Sequence, residues 1–372
     1  GERRPSTLKD VENFAKLADA LDYMHIFHPC CNPEDVPQAV RDRYRWQASF
    51  NYTEKHVMSA VYSVEALKDV IEMASSIVGG MDELMKNPIM SVIVCSVAPL
   101  RHDTINTQIL MHCAKNKIPV ICSNDVMAGA SGPATLAGTI VVTNAETLSG
   151  VCLTQLVNPG SPVLMGNVST IMDMRAGTLA EGAPEQILIN LCMAQLSHHY
   201  RLPYYGTGGT TDAKIPDAQA GWEKGMTALA TALVGSNIVH AFGGLLNSLN
   251  LASFEQLVID DEIAGYITRI LRGLDKSSES MALEVIHNVG PGGNFLTTKH
   301  TREKWKKAQW MPSISSRIDY ERWKKEGAKD AYKVAREKAL RILKEHQPTP
   351  LEEDVKRKIT HIIKEAQQKR RM

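Results

Sequence analysis

The chain has 372 residues, 44% of them hydrophobic and 22% charged, with a formal net charge of +1. That is ordinary globular composition, and so small a charge supplies no global field to recruit nucleic acid or an anionic membrane. No apolar run reaches the roughly 18 residues a membrane helix needs, and no signal peptide is visible, so both partner classes are set aside. The seven cysteines, at 30, 31, 95, 113, 122, 152 and 192, include no C-x-x-C pair. Most lie in apolar runs (Val94-Cys95, Ile121-Cys122, Val151-Cys152), where Cys reads as a small buried hydrophobe, and a reducing cytoplasm is expected. The chain begins at Gly1 rather than Met, inside what already reads as structure, so a preceding segment is expected.

Thr7 followed by Asp10 has the form of a capping pair, and Leu8, Val11, Phe14, Leu17, Ala18 and Leu21 repeat at helical spacing. From there one pattern recurs: a short apolar run, a polar or glycine-rich turn, then an amphipathic helix. The runs are 24–29, 56–62, 91–97, 120–124, 162–167, 203–206, 238–243 and a weak one at 294–296. Helices are predicted over 65–77, 105–116, 133–156, 184–200, 218–233 and 254–271, with Pro184 placed as a first-turn proline. Eight strand–helix units predict a (β/α)8 TIM barrel, with a doubly wound open sheet as the alternative. No GxGxxG opens a helix after the first strand, and the G-T-G-G turn lacks the rest of a P-loop. Beyond Arg317 the composition becomes that of charged helices, at 320–343 and 351–372, separated by Pro348 and Pro350. The reading is therefore a barrel domain over 1–317 and a helical extension over 318–372 packed on it. The basic end (Lys364, Lys369, Arg370, Arg371) reads as a solvated face.

The stretch 202–221, LPYYGTGGTTDAKIPDAQAG, is the richest in chemistry. A short aromatic strand breaks into Gly206, Gly208 and Gly209, and then Thr210, Thr211, Asp212, Lys214 and Asp217 precede an alanine-rich helix. Glycines after a strand let the backbone come close to something. A plain connection needs roughly two to six residues, so a ligand-facing loop is expected rather than a well hydrogen-bonded turn. In a barrel, residues at the C-terminal strand ends line the site. These are His28, Tyr62, Ser96 with Pro99, Asn124 with Asp125, Asn167, the 206–217 loop, His240 with Phe242, and Phe295 with His300. Aromatic faces at Tyr62, Tyr204, Tyr205 and Phe242 can enclose an organic cation. Metal-ligand spacing is absent; His198 and His199 end a helix, where they complement its carbonyls. His240 is either a structural histidine or, if it points inward, a substrate contact. No Ser-His-Asp order or G-x-S-x-G elbow supports acyl chemistry.

Several blocks, in order, resemble the trimethylamine methyltransferase superfamily of corrinoid-dependent amine methyltransferases. They are GERRPSTLKDVENFAKLADAL, GASGPATLAGTIVVTNAETLSGVCLTQLVNPGSPVLMGN, DMRAGTLAEGAPE, GTGGTTDAKIPDAQAGWE, FEQLVIDDE and VGPGGNFLTTKHT. The resemblance implies a barrel that binds a methylated amine in its mouth and passes one methyl group to Co(I) of a separate corrinoid protein. No cofactor is then held permanently, because the corrinoid belongs to the partner, and a homo-oligomer is expected. The trimethylamine enzymes of the family carry a pyrrolysine, whereas every position here is a standard residue. This chain resembles the members that act on quaternary amines such as glycine betaine. A quaternary ammonium leaves as a neutral amine and needs no general acid, only an in-line nucleophile, so the enzyme's work is positioning and desolvation.

On that reading His240 and Asp212 are the candidate catalytic residues. Tyr62, Asn167, Tyr205, Phe242, Lys214 and His300 are candidates for the substrate. A substrate carboxylate, if present, would take His240, Lys214 or His300. Gly206, Gly208, Gly209, Asp217, Asn124 and Asp125 are the candidates for meeting the corrinoid, and Asp212 for meeting it or holding the loop. Three alternatives stand beside this: a tertiary-amine (trimethylamine) methyltransferase of the same family, a quaternary-amine or corrinoid-protein binding relative that has lost transfer, and an aldolase or lyase using Lys214 as a Schiff base.

Overall fold

The structure, a computed structural model, describes residues 3–369. Seven short strands form one parallel sheet in sequential order: β1 (Ile26–Phe27), β2 (His56–Ser59), β3 (Met90–Cys95), β4 (Val120–Ser123), β5 (Val163–Asn167), β6 (Tyr204–Thr207) and β7 (Ile238–His240). The sheet curls until its edges face each other. His28, just past β1, reaches His240, at the end of β7, although no ladder joins these two strands among the described residues.

Side-chain alternation sorts the strands into two surfaces. Ile26, Met58, Ile93, Ile121, Leu164, Tyr205 and Ile238, one from each strand, pack together inside the curl. Their neighbours Val57, Val92, Val94, Val120 and Cys122 turn outward onto the helices. Those helices are α1 (Leu8–Ala20), α2 (Arg41–Tyr52), α3 (Val64–Val78), α4 (Thr104–Lys115), α5 (Leu136–Val157), α6 (Pro184–Tyr200), α7 (Ala218–Leu233) and α8 (Phe254–Leu271). Thr7 and Asp10 do form a capping box on α1, and Asp217 and Ser253 cap α7 and α8. Helix α5 is, by length and composition, apolar enough to cross a membrane. Here it joins β4 to β5 and buries Thr139, Thr143, Glu146, Thr147 and Thr154. At Gly150 a Cβ would stand 3.2 Å from Cys122, so the glycine sets how closely helix and strand approach.

The expected eighth strand does not form. Residues 294–296 lie exposed in a turn after Gly290, Gly292 and Gly293, in a stretch too rich in glycine to hold a ladder. The curled sheet therefore has seven strands, and α1, α8 and α9 (Ala331–Glu345) cover the gap: Ala335 and Ala339 pack with Phe14, Leu17, Phe27 and Leu257. Helix α10 (Glu353–Lys369) lays Ile359, Ile362 and Ile363 against Trp46, Leu67 and Val70. The helix expected over 320–343 is broken in two, Tyr320–Lys325 and α9, by Gly327 at positive φ and the new cap Asp330. Cys152, expected in the core, is exposed on α5, since its neighbour Val151 takes the inward position. Arg370 and Arg371 lie outside the described residues.

Candidate active site

The strand ends of the curl converge on three side chains. His240 Nε2 lies 3.1 Å from His28 Nδ1, so one imidazole donates to the other. The Tyr205 ring stands 4.8 Å from the His240 ring. Burial lowers the His28 pKa to about 4, with the Arg45 charge adding to the effect. Burial, then His28, pushes His240 well below the usual imidazole range. Both rings are thus neutral at pH 7. Two polar atoms of this seam, Tyr205 Oη and His240 Nδ1, are buried without a hydrogen-bond partner among the described residues, as is Ser123 Oγ at the end of β4. Buried polar groups are nearly always paired, so orphaned ones gathered at strand ends mark a place prepared for something else.

Beside the seam the mouth is acidic, and one of its carboxyls is held neutral by burial. Glu181, only 1% exposed, has its carboxyl pKa raised to about 8 by burial, with Asp125 and Asp212 adding to it. Gln186 Nε2 donates to Glu181, and Thr210 Oγ1 donates to Gln186 Oε1 at 2.8 Å. Asp125 opens to solvent, yet protein surrounds it closely enough to raise its carboxyl pKa as well.

The 206–217 loop is held from within. Asp212 accepts from Glu181 N (2.8 Å), Gly182 N (3.0 Å) and Ser248 Oγ (2.6 Å), tying three loops together. Thr211 Oγ1 donates to Glu223 at 2.6 Å, and Lys214 Nζ, exposed, donates to Asp212 O at 2.7 Å. A Cβ at Gly206 or Gly208 would come within 2.8 Å of α7 side chains, so both glycines serve strand–helix approach. Gly209 sits at φ +82° under the Phe242 ring. Beneath the loop a fully buried ion pair joins α7 to α8: Lys224 Nζ lies 3.1 Å from Asp260 and also donates to Gly209 O. Asp260 accepts from Gly244 N and Gln256 Nε2 as well. Burial depresses the lysine pKa and raises that of the aspartate, each opposed by the partner's charge.

Of the residues singled out from sequence, the structure brings Tyr205, His240 and His28 together, with Asp125 and the Asp212 latch at the mouth. Phe242 packs between the α8 side and Gly209. Asn167 and Asn124 are buried on the helix side: Asn124 Nδ2 donates to Thr143 O and Thr147 Oγ1, and Asn167 Nδ2 to Asn190 Oδ1. Asp217 caps α7. Tyr62 is half exposed, with one face covered by the Arg45 guanidinium 5.4 Å away. His300 lies in the exposed helix Lys299–Ala308, beside Asn294 and Thr297 rather than at the strand ends.

Comparison with known proteins gives the chain its family. The family profile described as "Trimethylamine methyltransferase (MTTB)" matches residues 1–371. The chain belongs to the trimethylamine methyltransferase (MTTB) family. Glycine betaine methyltransferase of Desulfitobacterium hafniense (strain Y51) is 38% identical over 364 residues, covering 98% of this chain and 76% of the relative. Trimethylamine methyltransferase MttB of Methanosarcina barkeri (strain Fusaro / DSM 804) is 36% identical over 365 residues, covering 97% and 73%. The crystal structure of the Methanosarcina barkeri monomethylamine methyltransferase (MtmB) aligns with a TM-score of 0.54 at 13% identity, over 91% of this chain and 70% of that one, which is a likeness of fold.

Within this MTTB chain, sequence reading missed Glu181, Lys224, Asp260 and Arg45. For Lys224 a signal was present: Ala220, Lys224, Thr227, Ala228 and Thr231 share one helical face, and all are buried. Arg45 and Glu181 carry no such local mark, because what buries them comes from other segments.

Proposed function

We propose that the protein moves a methyl group from a quaternary ammonium compound to Co(I) of a corrinoid carried by a separate protein. Membership of the MTTB family supports the transfer, and the 38% identity to a protein named for glycine betaine supports a quaternary donor. The observation that carries the reading is the uncharged seam. With His28 and His240 both neutral, the site offers no cationic acid to a departing amine. A tertiary amine would leave as an amide anion unless it is first protonated or captured by an electrophile, whereas a quaternary ammonium already carries the charge and leaves as a neutral tertiary amine. The C–N bond breaks with its electron pair staying on nitrogen, and no proton moves.

The ammonium loses its charge as the methyl departs, so a carboxylate held against it would stabilise the ground state more than the transition state. Glu181 fits this requirement, since burial holds it as a neutral acid at pH 7. Tyr205 and the two imidazoles supply aromatic faces for the cation instead. The corrinoid supplies the nucleophile and arrives with its own protein, and the chain's residues bind, orient and dehydrate the donor. Of the residues first considered for meeting the corrinoid, Asp125 stands openly at the mouth. Lys224 is shut away with Asp260 and Lys214 is solvated, so neither favours a Schiff-base enzyme. A homo-oligomer belongs to the same reading: Leu274 (81% exposed), Leu283 (68%) and Leu296 (78%) are exposed apolar side chains of the kind a second copy would cover.

The test is anaerobic absorbance of free cob(I)alamin mixed with the protein and a panel of amines: trimethylamine, glycine betaine, proline betaine, carnitine and choline. Methylcobalamin should form with a quaternary amine and not with trimethylamine. Activity with trimethylamine would contradict the leaving-group argument, and no activity with any member would favour a binding relative.

A further inference from the structure

Helix α2 carries arginines at 41, 43 and 45 in its first turns, where the chain leaves the mouth side of β1. Arg43 takes both nearby carboxylates: its Nε lies 2.6 Å from Asp69 and its Nη1 3.3 Å from Asp42. Arg41 and Arg45 have no carboxylate within 4.0 Å among the described residues, and the Nε of each is buried without a partner. Arg45 is only 5% exposed. Its remaining hydrogen bonds go to neutral oxygens, those of Asn32 Oδ1, Tyr62 Oη (3.2 Å) and Ala60 O (2.8 Å). A buried charge is almost always paired, and two like charges at i and i+4 on one helix repel. Among the described residues neither guanidinium has a salt-bridge partner, and Arg45 is met by neutral oxygens alone.

Arg41 borders a cavity of about 670 Å³ lined also by Asn32, Gln38, Asp42, Tyr62 and Ser63. Arg45 lies beneath its wall, bonded to Asn32 and Tyr62, and its charge reaches His28 in the seam. We propose that this cavity is an anion site that holds the carboxylate of a zwitterionic quaternary amine, a betaine, while the ammonium end lies in the Tyr205–His240 seam. The inference rests on the reading of a quaternary donor and assigns its second functional group. Asp42 in the same wall disfavours a dianion such as phosphate and leaves a single negative charge as the match. Tyr62 then belongs to the carboxylate end rather than to an ammonium cage, because Arg45 already covers one of its faces. Lys214 and His300, considered for this role from sequence, are respectively solvated beside Asp212 and set on an outer helix.

The experiment is isothermal titration calorimetry of the full chain with glycine betaine, choline, acetate and inorganic phosphate, on wild type, Arg41→Gln, Arg45→Gln and Arg45→Lys. Choline presents the same ammonium head with a hydroxymethyl group in place of the carboxylate. Charged hydrogen bonds of this kind set the scale, so Arg41→Gln should weaken glycine betaine about 10- to 100-fold and leave choline unchanged. Arg45→Lys should retain more betaine affinity than Arg45→Gln. Thermal melting reports whether each variant folds; if Arg45→Gln does not, the half-buried Arg41 carries the comparison. Equal affinity for betaine and choline, or no effect of Arg41→Gln, overturns the proposal, as does phosphate binding more tightly than acetate and displacing betaine. Arginine-dependent betaine binding without methylation of cob(I)alamin would keep the anion site and remove the methyl-transfer reading.

Discussion

Two regions at the strand ends look alike in sequence and differ in structure. The 206–217 loop has glycines, hydroxyls, two carboxylates and a lysine, and nearly all of them are spent on the fold. Its glycines accommodate α7, Asp217 caps that helix, Asp212 latches three loops, and Thr210 and Thr211 bond to Gln186 and Glu223. The seam between β1 and β7, with the arginines of α2 beside it, is sparser, yet it holds the unmatched groups: Tyr205 Oη, His240 Nδ1 and two guanidiniums without carboxylates. Chemistry-bearing residues mark a functional place when their partners are missing from the protein, and a scaffold when the partners are all there.

Substitutions can break or sharpen this contrast. The largest effect is expected beneath the loop, where Asp260→Asn or Lys224→Met leaves a buried, unpaired partner. Either should cost about 3–5 kcal/mol in denaturant-monitored unfolding. Next is Glu181→Gln. The folded state holds this acid protonated up to about pH 8, while the unfolded chain ionises near the ordinary 4.5, so stability is lost as pH rises between those values. The amide should remove that decline and gain on the order of 2 kcal/mol at pH 8 over wild type, visible as a flatter melting-temperature profile. In the loop itself, Asp217→Ala should cost about 1 kcal/mol as a lost helix cap, with KM unchanged. In the seam the sign should reverse: Tyr205→Phe removes a buried hydroxyl that has no partner and should stabilise by up to about 1 kcal/mol, while raising the KM for the amine. A stability loss in Tyr205→Phe, or a KM change in Asp217→Ala, would erase the distinction between the two regions.

Much of the scaffold was legible in the sequence. The helices over 184–200, 218–233 and 254–271 begin and end where they were expected, because Pro184, Asp217 and Ser253 are local start signals. Seven of the expected strands form, and the eighth does not: the stretch Asn294-Phe295-Leu296 has only two apolar residues, neither β-branched, and follows a glycine-rich turn. Of the candidate site, the inward placement of Tyr205 and His240 was legible, because strand parity decides it. It was illegible where burial is imposed by distant segments. Arg45 reads as a solvated helix residue until Asn32, Ala60 and Tyr62 close over it, and Glu181 reads as a loop acid until Asp125 and Asp212 crowd it.

The most direct test of the central claim compares glycine betaine with dimethylglycine, which keeps the carboxylate and has one methyl group fewer on nitrogen. Anaerobic methylation of cob(I)alamin should proceed with glycine betaine and fail with dimethylglycine throughout pH 6 to 8, where His28 and His240 stay neutral. Comparable methylcobalamin formation from dimethylglycine would show that the site can release an amine without the quaternary charge, and would contradict the account.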